Sequence, residues 1–315
     1  MKKMIVILNP KSGSSGEDFK TEIEAALHKR GIEYELRETT PEISGGDLAR
    51  AAFEEGATHI VACGGDGTIM SVVNGLGHAL EEKNIKADDE AAPLLSIIPG
   101  GTANLIAAAL DIPHDVQKSV SIAVAGENRV IDLGRCGPHL FALGVGLGLT
   151  ERLVSRASTK QKETLGKAAY ALAMLKELGA KPVTFTIKRD DKKSQRKRGV
   201  AIVIANAGEI GGALKFAPDA KMDDGLLDIC ILHRFYLRDV LRLIGNMLLG
   251  RVREDRAVSF YHAKRVEIRS NPPLDLQVDG EVVDMQTPLV CEVVPRGLKV
   301  RVPVKEESLT EAVMG

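Results

Sequence analysis

Three glycine-rich stretches hold the residues of this chain best suited to chemistry: NPKSGSSG (residues 9–16), GGDGT (64–68) and PGGTAN (99–104). Each follows an apolar, strand-like run and opens a helix-like one. Glycine lets the backbone approach a phosphate closely, and N–H groups at the start of a helix attract anions. The first stretch adds Lys11 and two hydroxyls. None of the three fits G-x-x-x-x-G-K-[ST] or G-x-G-x-x-G. Any one of them alone is explained equally well by a structural strand-to-helix turn. Three such loops at the ends of three strands point to a phosphate-bearing ligand.

Asp66 stands in the middle of the second loop. An unpaired carboxylate about 5 Å from one phosphate charge would cost roughly 3 kcal/mol at an effective dielectric of 20. A divalent cation between them, or a water on one, removes that cost. Magnesium is commonly bound by one or two carboxylates together with substrate phosphates. The loop therefore argues for a magnesium nucleotide rather than bare phosphate. A helix N-cap role for Asp66 is also available and compatible.

The elements that must position these loops alternate. MIVIL is a continuous apolar strand, EDFKTEIEAALHKRG has helical periodicity, IEYELRET alternates, and GDLARAAFEEG is helical. THIVACGG and PLLSIIPGG are buried strands, and TANLIAAAL follows as a helix. This succession predicts an α/β domain with a parallel sheet covered on both faces, where ligands bind outside the carboxyl ends of the strands. After residue 128 strands follow one another with few helices: RVIDLGRC, HLFALGVGLG, LLDICIL, AKRVEIRS, LDLQVDG, PLVCEVV and LKVRVPV. KETLGKAAYALAMLKELG reads as a helix, and KPVTFTIKRD and GVAIVIANAG as a hairpin pair with DKKSQRKR at its tip. The expectation is a nucleotide-binding α/β domain over 1–128 and a mainly antiparallel β-sandwich domain over 129–303. The tail 304–315 is a candidate to rejoin the first domain.

A hydrophobic share of 44% with 27% charged residues fits a soluble globular protein. A net charge of -1 gives no whole-protein argument for nucleic acid. MKKMIVILNP is stopped by Asn9-Pro10 and reads as a first buried strand rather than a signal peptide. No apolar run is long enough to span a bilayer. Cys63, Cys136, Cys230 and Cys291 are widely spaced in apolar runs, as expected of buried reduced thiols in a cytoplasmic protein.

NPKSG, GGDGT and PGGTAN in this order, followed by APDAKMDDGLLDI (217–229) and LQVDGE (276–281), resemble the diacylglycerol kinase catalytic family. That family includes bacterial soluble lipid kinases and the sphingosine and ceramide kinases. The resemblance covers nearly the whole chain; GGDGT alone is shared with NAD kinases. It implies ATP as phosphate donor and Mg2+. It puts Asn9, Pro10, Lys11, Ser12, Gly13, Gly64, Gly65, Asp66, Gly67, Thr68, Gly101, Thr102 and Asn104 at the nucleotide. It adds Thr40, with Thr39 a close competitor. Asp66 would hold the catalytic magnesium through water. A second, structural magnesium would lie at Asp224 with backbone carbonyls of Lys221 and Leu226. Asp279 and Glu281 would face the acceptor hydroxyl. Many members continue the third loop with an aspartate where this chain has Leu105; sphingosine kinase-like members lack that aspartate, and its absence here weakens transfer of the metal network and of the exact acceptor.

The chemistry gives that last pair a role, because an attacking alcohol must lose its proton. Two residues apart, Asp279 and Glu281 share a face of a regular strand, but Gly280 suggests a turn. Glu281 is the favoured proton acceptor with Asp279 in support; an exposed acidic turn is the bland alternative. The implied activity is an ATP- and Mg-dependent lipid kinase of phospholipid biosynthesis with a diacylglycerol-like acceptor. The alternatives are an NAD kinase-like enzyme and a silent lipid- or nucleotide-binding module.

A lipid acceptor implies transient contact with the inner face of a membrane by a cytoplasmic protein. Nucleic acid is not expected as a partner, and a homodimer is a candidate assembly. DKKSQRKR offers basic residues worth about 1 kcal/mol each near an anionic surface; a solvated hairpin end is the favoured reading. In FYLRDVLRLIGNMLLGRVRED, Val240, Leu241, Ile244, Met247 and Leu248 form a helical stripe apart from Arg238, Arg242 and Asn246. An interfacial helix is one reading; packing on its own domain is the favoured one. LGVGLG leaves room for an acyl chain or for close strand packing.

Overall fold

The computed structural model describes residues 3–12, 16–150, 178–208, 217, 220–248 and 255–304, excepting the side chains of 16, 240, 243, 244, 247 and 248. Gly13 and nearly all of the helix expected in KETLGKAAYALAMLKELG lie outside these residues. The chain divides into two units, Met1–Ile131 with Arg296–Gly315, and Asp132–Pro295.

In the first unit β1 (Met4–Leu8), β2 (Glu35–Glu38), β3 (His59–Gly64) and β4 (Leu94–Pro99) form a parallel sheet in the order β2-β1-β3-β4. Ile5, Val6, Ile7, Ile60, Val61 and Ala62 are all fully buried, so helices cover both faces and alternation disappears. On one face α1 (Gly16–His28) and α5 (Val116–Ala125) pack Phe19, Ile23, Leu27, Val116 and Val120 onto Val6, Leu8, Val61 and Ile98. α2 (Gly45–Glu54) and α3 (Asp66–Glu82) pack on β1 and β3 and on each other. Their crossing is close enough that a Cβ on Gly75 would collide with the Gly46 backbone. The short α4 (Leu105–Ala109) follows the third glycine loop. β16 (Leu289–Val302) extends this sheet beyond β4, parallel to it at Val300 and Leu95. LKVRVPV therefore serves the first unit, to which the chain returns from Arg296 onward.

The second unit is a sandwich of two antiparallel sheets. One runs β12 (Val258–Ala263), β11 (Leu227–Leu232), β10 (Ala201–Ala205), β7 (Gly144–Gly148), β14 (Asp275–Val278) and β15 (Glu281–Gln286). The other runs from the first part of β16 through β13 (Arg265–Asn271) and β8 (Val183–Arg189) to β9 (Gln195–Gly199). β5 (Glu127–Cys136) and β6 (His139–Phe141) pair beside β16. Val145, Leu147, Ile202, Ile229 and Leu276 meet Phe185, Ile187, Val266, Ile268 and Cys291 in its core. α6 (Leu237–Leu248) lies between β11 and β12 in sequence.

Of the basic segment read as a hairpin tip, residues 191–194 lie in the turn and residues 195–198 are already strand. β8 pairs with β9, whereas β10 joins the opposite sheet between β7 and β11. β9 is an outer strand, and charged side chains on an edge block further pairing. All four cysteines are buried and free.

Candidate active site

β1, β3 and β4 end in step, with Leu8 opposite Cys63 and Gly64 opposite Pro99. The glycine-rich loops therefore leave the sheet side by side at its carboxyl edge. Asn9 ties the first loop down. Its N–H donates to the Cys63 carbonyl, its Oδ1 accepts from the Lys11 N–H at 3.0 Å, and its Nδ2 donates to Thr68 Oγ1 at 3.0 Å. The third loop is closed by Asn104, which has a left-handed φ of 48° and is almost fully buried. Asn104 Oδ1 accepts from the Gly101 N–H at 2.8 Å and its Nδ2 donates to the Gly101 carbonyl at 2.7 Å. A Cβ on Gly101 would come within 2.7 Å of Gly65 Cα, so these two loops touch backbone to backbone.

A cavity of about 420 Å³ opens among these elements. Asn9, Ser12, Thr40, Gly65, Gly67 and Thr68 line it, as the motifs predict, and so does Thr39. Pro10, Lys11 and Thr102 are exposed, and Gly64, Gly101 and Asn104 are not in its lining. Gly64 is fully packed; a Cβ there would sit 2.8 Å from that of Thr68. Ser44, Gly45 and Ser71 also line the cavity and were missed by sequence reasoning. Ser44 is the N-cap of α2, in a reciprocal capping box with Asp47, a signal legible as S-x-x-D. Ser71 lies one helical turn beyond Thr68, and its Oγ accepts from the Gly46 N–H at 2.9 Å. Two helix N-termini thus present their positive ends at one hydroxyl-rich cavity, a setting suited to phosphate.

Asp66 heads α3 without lining the cavity. Its Oδ1 accepts from the Ile106 N–H at 3.2 Å, at the start of α4. Burial raises its carboxyl above the usual range, against the N–H groups of Ile106, Leu105 and Asn104 and the pull of His114. No cluster of three or more His, Cys, Asp or Glu occurs among the described residues. Magnesium that arrives with phosphates needs no such cage, and a cation would offset the burial that disfavours the Asp66 carboxylate. The donor chemistry fits that ion.

In the second unit Asp224 is exposed and its Oδ1 accepts from the Leu226 N–H at 3.0 Å. Lys221 is exposed as well. The loop is held from behind by Asp132, buried in β5, whose Oδ2 accepts from the Gly225 N–H at 2.7 Å. Asp132 was missed; a lone acid inside the apolar run RVIDLG was its signal.

The VDGE segment is a two-residue hairpin turn joining β14 to β15. Val278 pairs with Glu281, and Asp279 and Gly280 have φ of 47° and 89°. Asp279 and Glu281 therefore do not share a strand face. Asp279 Oδ2 accepts from the Ala142 N–H at 2.7 Å, and Oδ1 from those of Leu143 and Gly144 at 3.0 and 2.7 Å. Its carboxylate braces the turn into β7. Glu281 is exposed.

The diacylglycerol kinase catalytic domain model matches residues 3–136, and the YegS C-terminal NAD kinase beta sandwich-like domain model matches 145–302. The diacylglycerol kinase of Bacillus subtilis (strain 168) is 32% identical over 289 residues, covering 89% of this chain and 90% of that one. The chain belongs to the diacylglycerol kinase family. This lipid kinase shares its fold with a diacylglycerol kinase structure from Bacillus anthracis str. Sterne, at a TM-score of 0.77, 24% identity and coverage of 96% and 97%. An NAD kinase from Archaeoglobus fulgidus, solved in complex with ATP, superposes at a TM-score of 0.52 with 15% identity over 99% and 97% of the two chains. Family membership makes the protein a phosphotransferase with an alcohol group as acceptor.

Proposed function

We propose that the protein transfers the γ-phosphoryl group of ATP to the hydroxyl of a diacylglycerol-like lipid, with magnesium, at the surface of a bilayer. The observation that carries this reading is the hydroxyl-lined cavity where the N-termini of α2 and α3 meet, inside a diacylglycerol kinase catalytic domain. Asn9, Ser12 and Thr68 bind the phosphates, and Thr39 or Thr40 the rest of the nucleotide. Magnesium would be held through Asp66 and would neutralise charge on the phosphates. Asp224, with the carbonyls of Lys221 and Leu226, is the proposed place of a second, structural magnesium.

In the reaction the lipid oxygen forms a bond to the γ-phosphorus as the bond from phosphorus to the β–γ bridging oxygen breaks and ADP leaves. The hydroxyl proton passes to a base, and Glu281 is assigned that role. Asp279 is a positioning residue: it holds the 142–144 backbone and the turn that carries Glu281.

The fold likeness to an NAD kinase makes NAD the second acceptor to test. Purified protein with γ-labelled ATP, magnesium, a lipid panel in detergent micelles and NAD in parallel decides between them. Label in the organic phase is expected. It should fall at least about tenfold in Thr68→Val through a higher KM for ATP, as loss of a charge-assisted hydrogen bond predicts. Label appearing only in NADP would overturn the lipid assignment.

A further inference from the structure

A helix packed on its own domain turns its apolar stripe inward. α6 does not. Leu237 and Leu241, four residues apart on one face, are 54% and 61% exposed, and Tyr236 just before them is 46% exposed. The described residue of this helix that is buried is an acid. Asp239 is buried, and Arg242 bridges it at 2.9 Å while gripping buried Asp255 through two bonds of 2.9 Å. Asn246 Nδ2 donates to the same carboxylate at 2.8 Å. This polar network fixes the roll of the helix and holds the leucines outward. The sequence continues their spacing with Ile244 and Leu248, whose side chains lie outside the described residues.

The charges around this face have one sign. From 233 to 248 the sole acid is Asp239, already paired, whereas Arg234 and Arg238 are exposed. The Arg238 guanidinium lies 5.8 Å over the Tyr236 ring. His233 Nδ1 donates to the Arg198 carbonyl at 2.7 Å, which sets exposed Arg196 and Arg198 of β9 beside the entry to α6. An aromatic ring, outward leucines and a basic rim are the ingredients of an interfacial helix.

We propose that this outward face of α6 docks on the surface of an anionic lipid bilayer, with Leu237, Leu241 and Tyr236 entering the headgroup region and the arginines meeting lipid phosphates. The proposal rests on the lipid kinase reading, since that acceptor resides in a bilayer. A second copy fits the face less well, because a two-fold contact would set like-charged arginines against one another.

The test is co-sedimentation of the full chain with vesicles of phosphatidylcholine, with and without phosphatidylglycerol, for wild type, Leu237→Glu/Leu241→Glu and Arg234→Gln/Arg238→Gln. Binding should depend on the anionic lipid. It should weaken about fivefold per arginine removed, the equivalent of about 1 kcal/mol, and about tenfold or more in the leucine variant, at unchanged melting temperature. Phosphorylation of a monomeric short-chain diacylglycerol should be unaffected while that of vesicle-embedded acceptor falls. Wild type that phosphorylates no lipid, yet binds anionic vesicles through these residues, would sink the kinase reading and support docking. Unchanged vesicle binding in the leucine variant overturns docking. So does a dimer that the variant converts to monomer without loss of vesicle binding.

Discussion

The two acids of the VDGE turn should fail in different ways when neutralised. Asp279 accepts three backbone N–H bonds from residues 142–144 and sits at a left-handed φ of 47°. Asn tolerates that conformation, but its amide turns one acceptor into a donor facing an N–H. Losing one charge-assisted bond at a half-buried site and leaving its donor unmet costs about 2 kcal/mol. For a unit of this size that lowers the melting temperature by about 4–8 °C. Asp279→Ala removes all three bonds and adds left-handed strain, for about 4–5 kcal/mol. Glu281 is exposed, so Glu281→Gln should leave the melting temperature within about 1 °C while kcat falls about 10²–10⁴-fold, the contribution of a general base. Thermal denaturation followed by circular dichroism, set beside the lipid phosphorylation assay, reads both quantities. Asp279→Asn with wild-type melting and lost turnover would refute the brace and return Asp279 to the chemistry.

Gly75→Ala should destabilise by about 2 kcal/mol, since the clash with the Gly46 backbone outweighs the better helix propensity of alanine. Because both helices open on the cavity, it should also raise the KM for ATP; unchanged melting and KM would show the crossing to be adjustable. Glu55 is held down to about 2 by hydrogen bonds from Arg37 and Lys3. A depressed carboxyl stabilises the fold above its unfolded value of 4.5, and that contribution disappears as pH falls towards 2. Glu55→Gln should therefore lower the melting temperature at neutral pH, less so in high salt and with no difference near pH 2; a deficit that persists in acid would point to lost packing.

MIVIL, THIVACGG and PLLSIIPGG were legible as strands because a sheet covered on both faces needs continuous apolar runs. The β9 segment QRKRG was not, because an edge strand shows solvent-facing charge that hydrophobic periodicity reads as loop. LKVRVPV was legible as a strand but not as a partner of β4, since Val300 opposite Leu95 joins residues far apart in sequence. At the site, Asn9, Ser12, Gly65, Gly67 and Thr68 could be read because each loop carries its own motif. Ser71 could not, because it reaches the cavity through the packing of α3 on α2.

The acids show most sharply how residue type outran residue role. Asp66 receives the start of α4, Asp132 the Gly225 N–H, Asp279 the 142–144 backbone, and Asp190 the N–H groups of Lys264 and Arg265. In each case a carboxylate joins segments distant in sequence by satisfying backbone donors that a loop would otherwise leave unmet. Such an oxygen is occupied in the folded state, and its loss registers first as instability. Glu281 differs: it follows a tight turn, is exposed, and its carboxylate has no hydrogen-bond or ion-pair partner among the described residues. An acid with free lone pairs at a rigid hairpin tip can take a proton from a substrate without dismantling the fold. That contrast, rather than the presence of two acids in one motif, supports the proposal of Glu281 as the base.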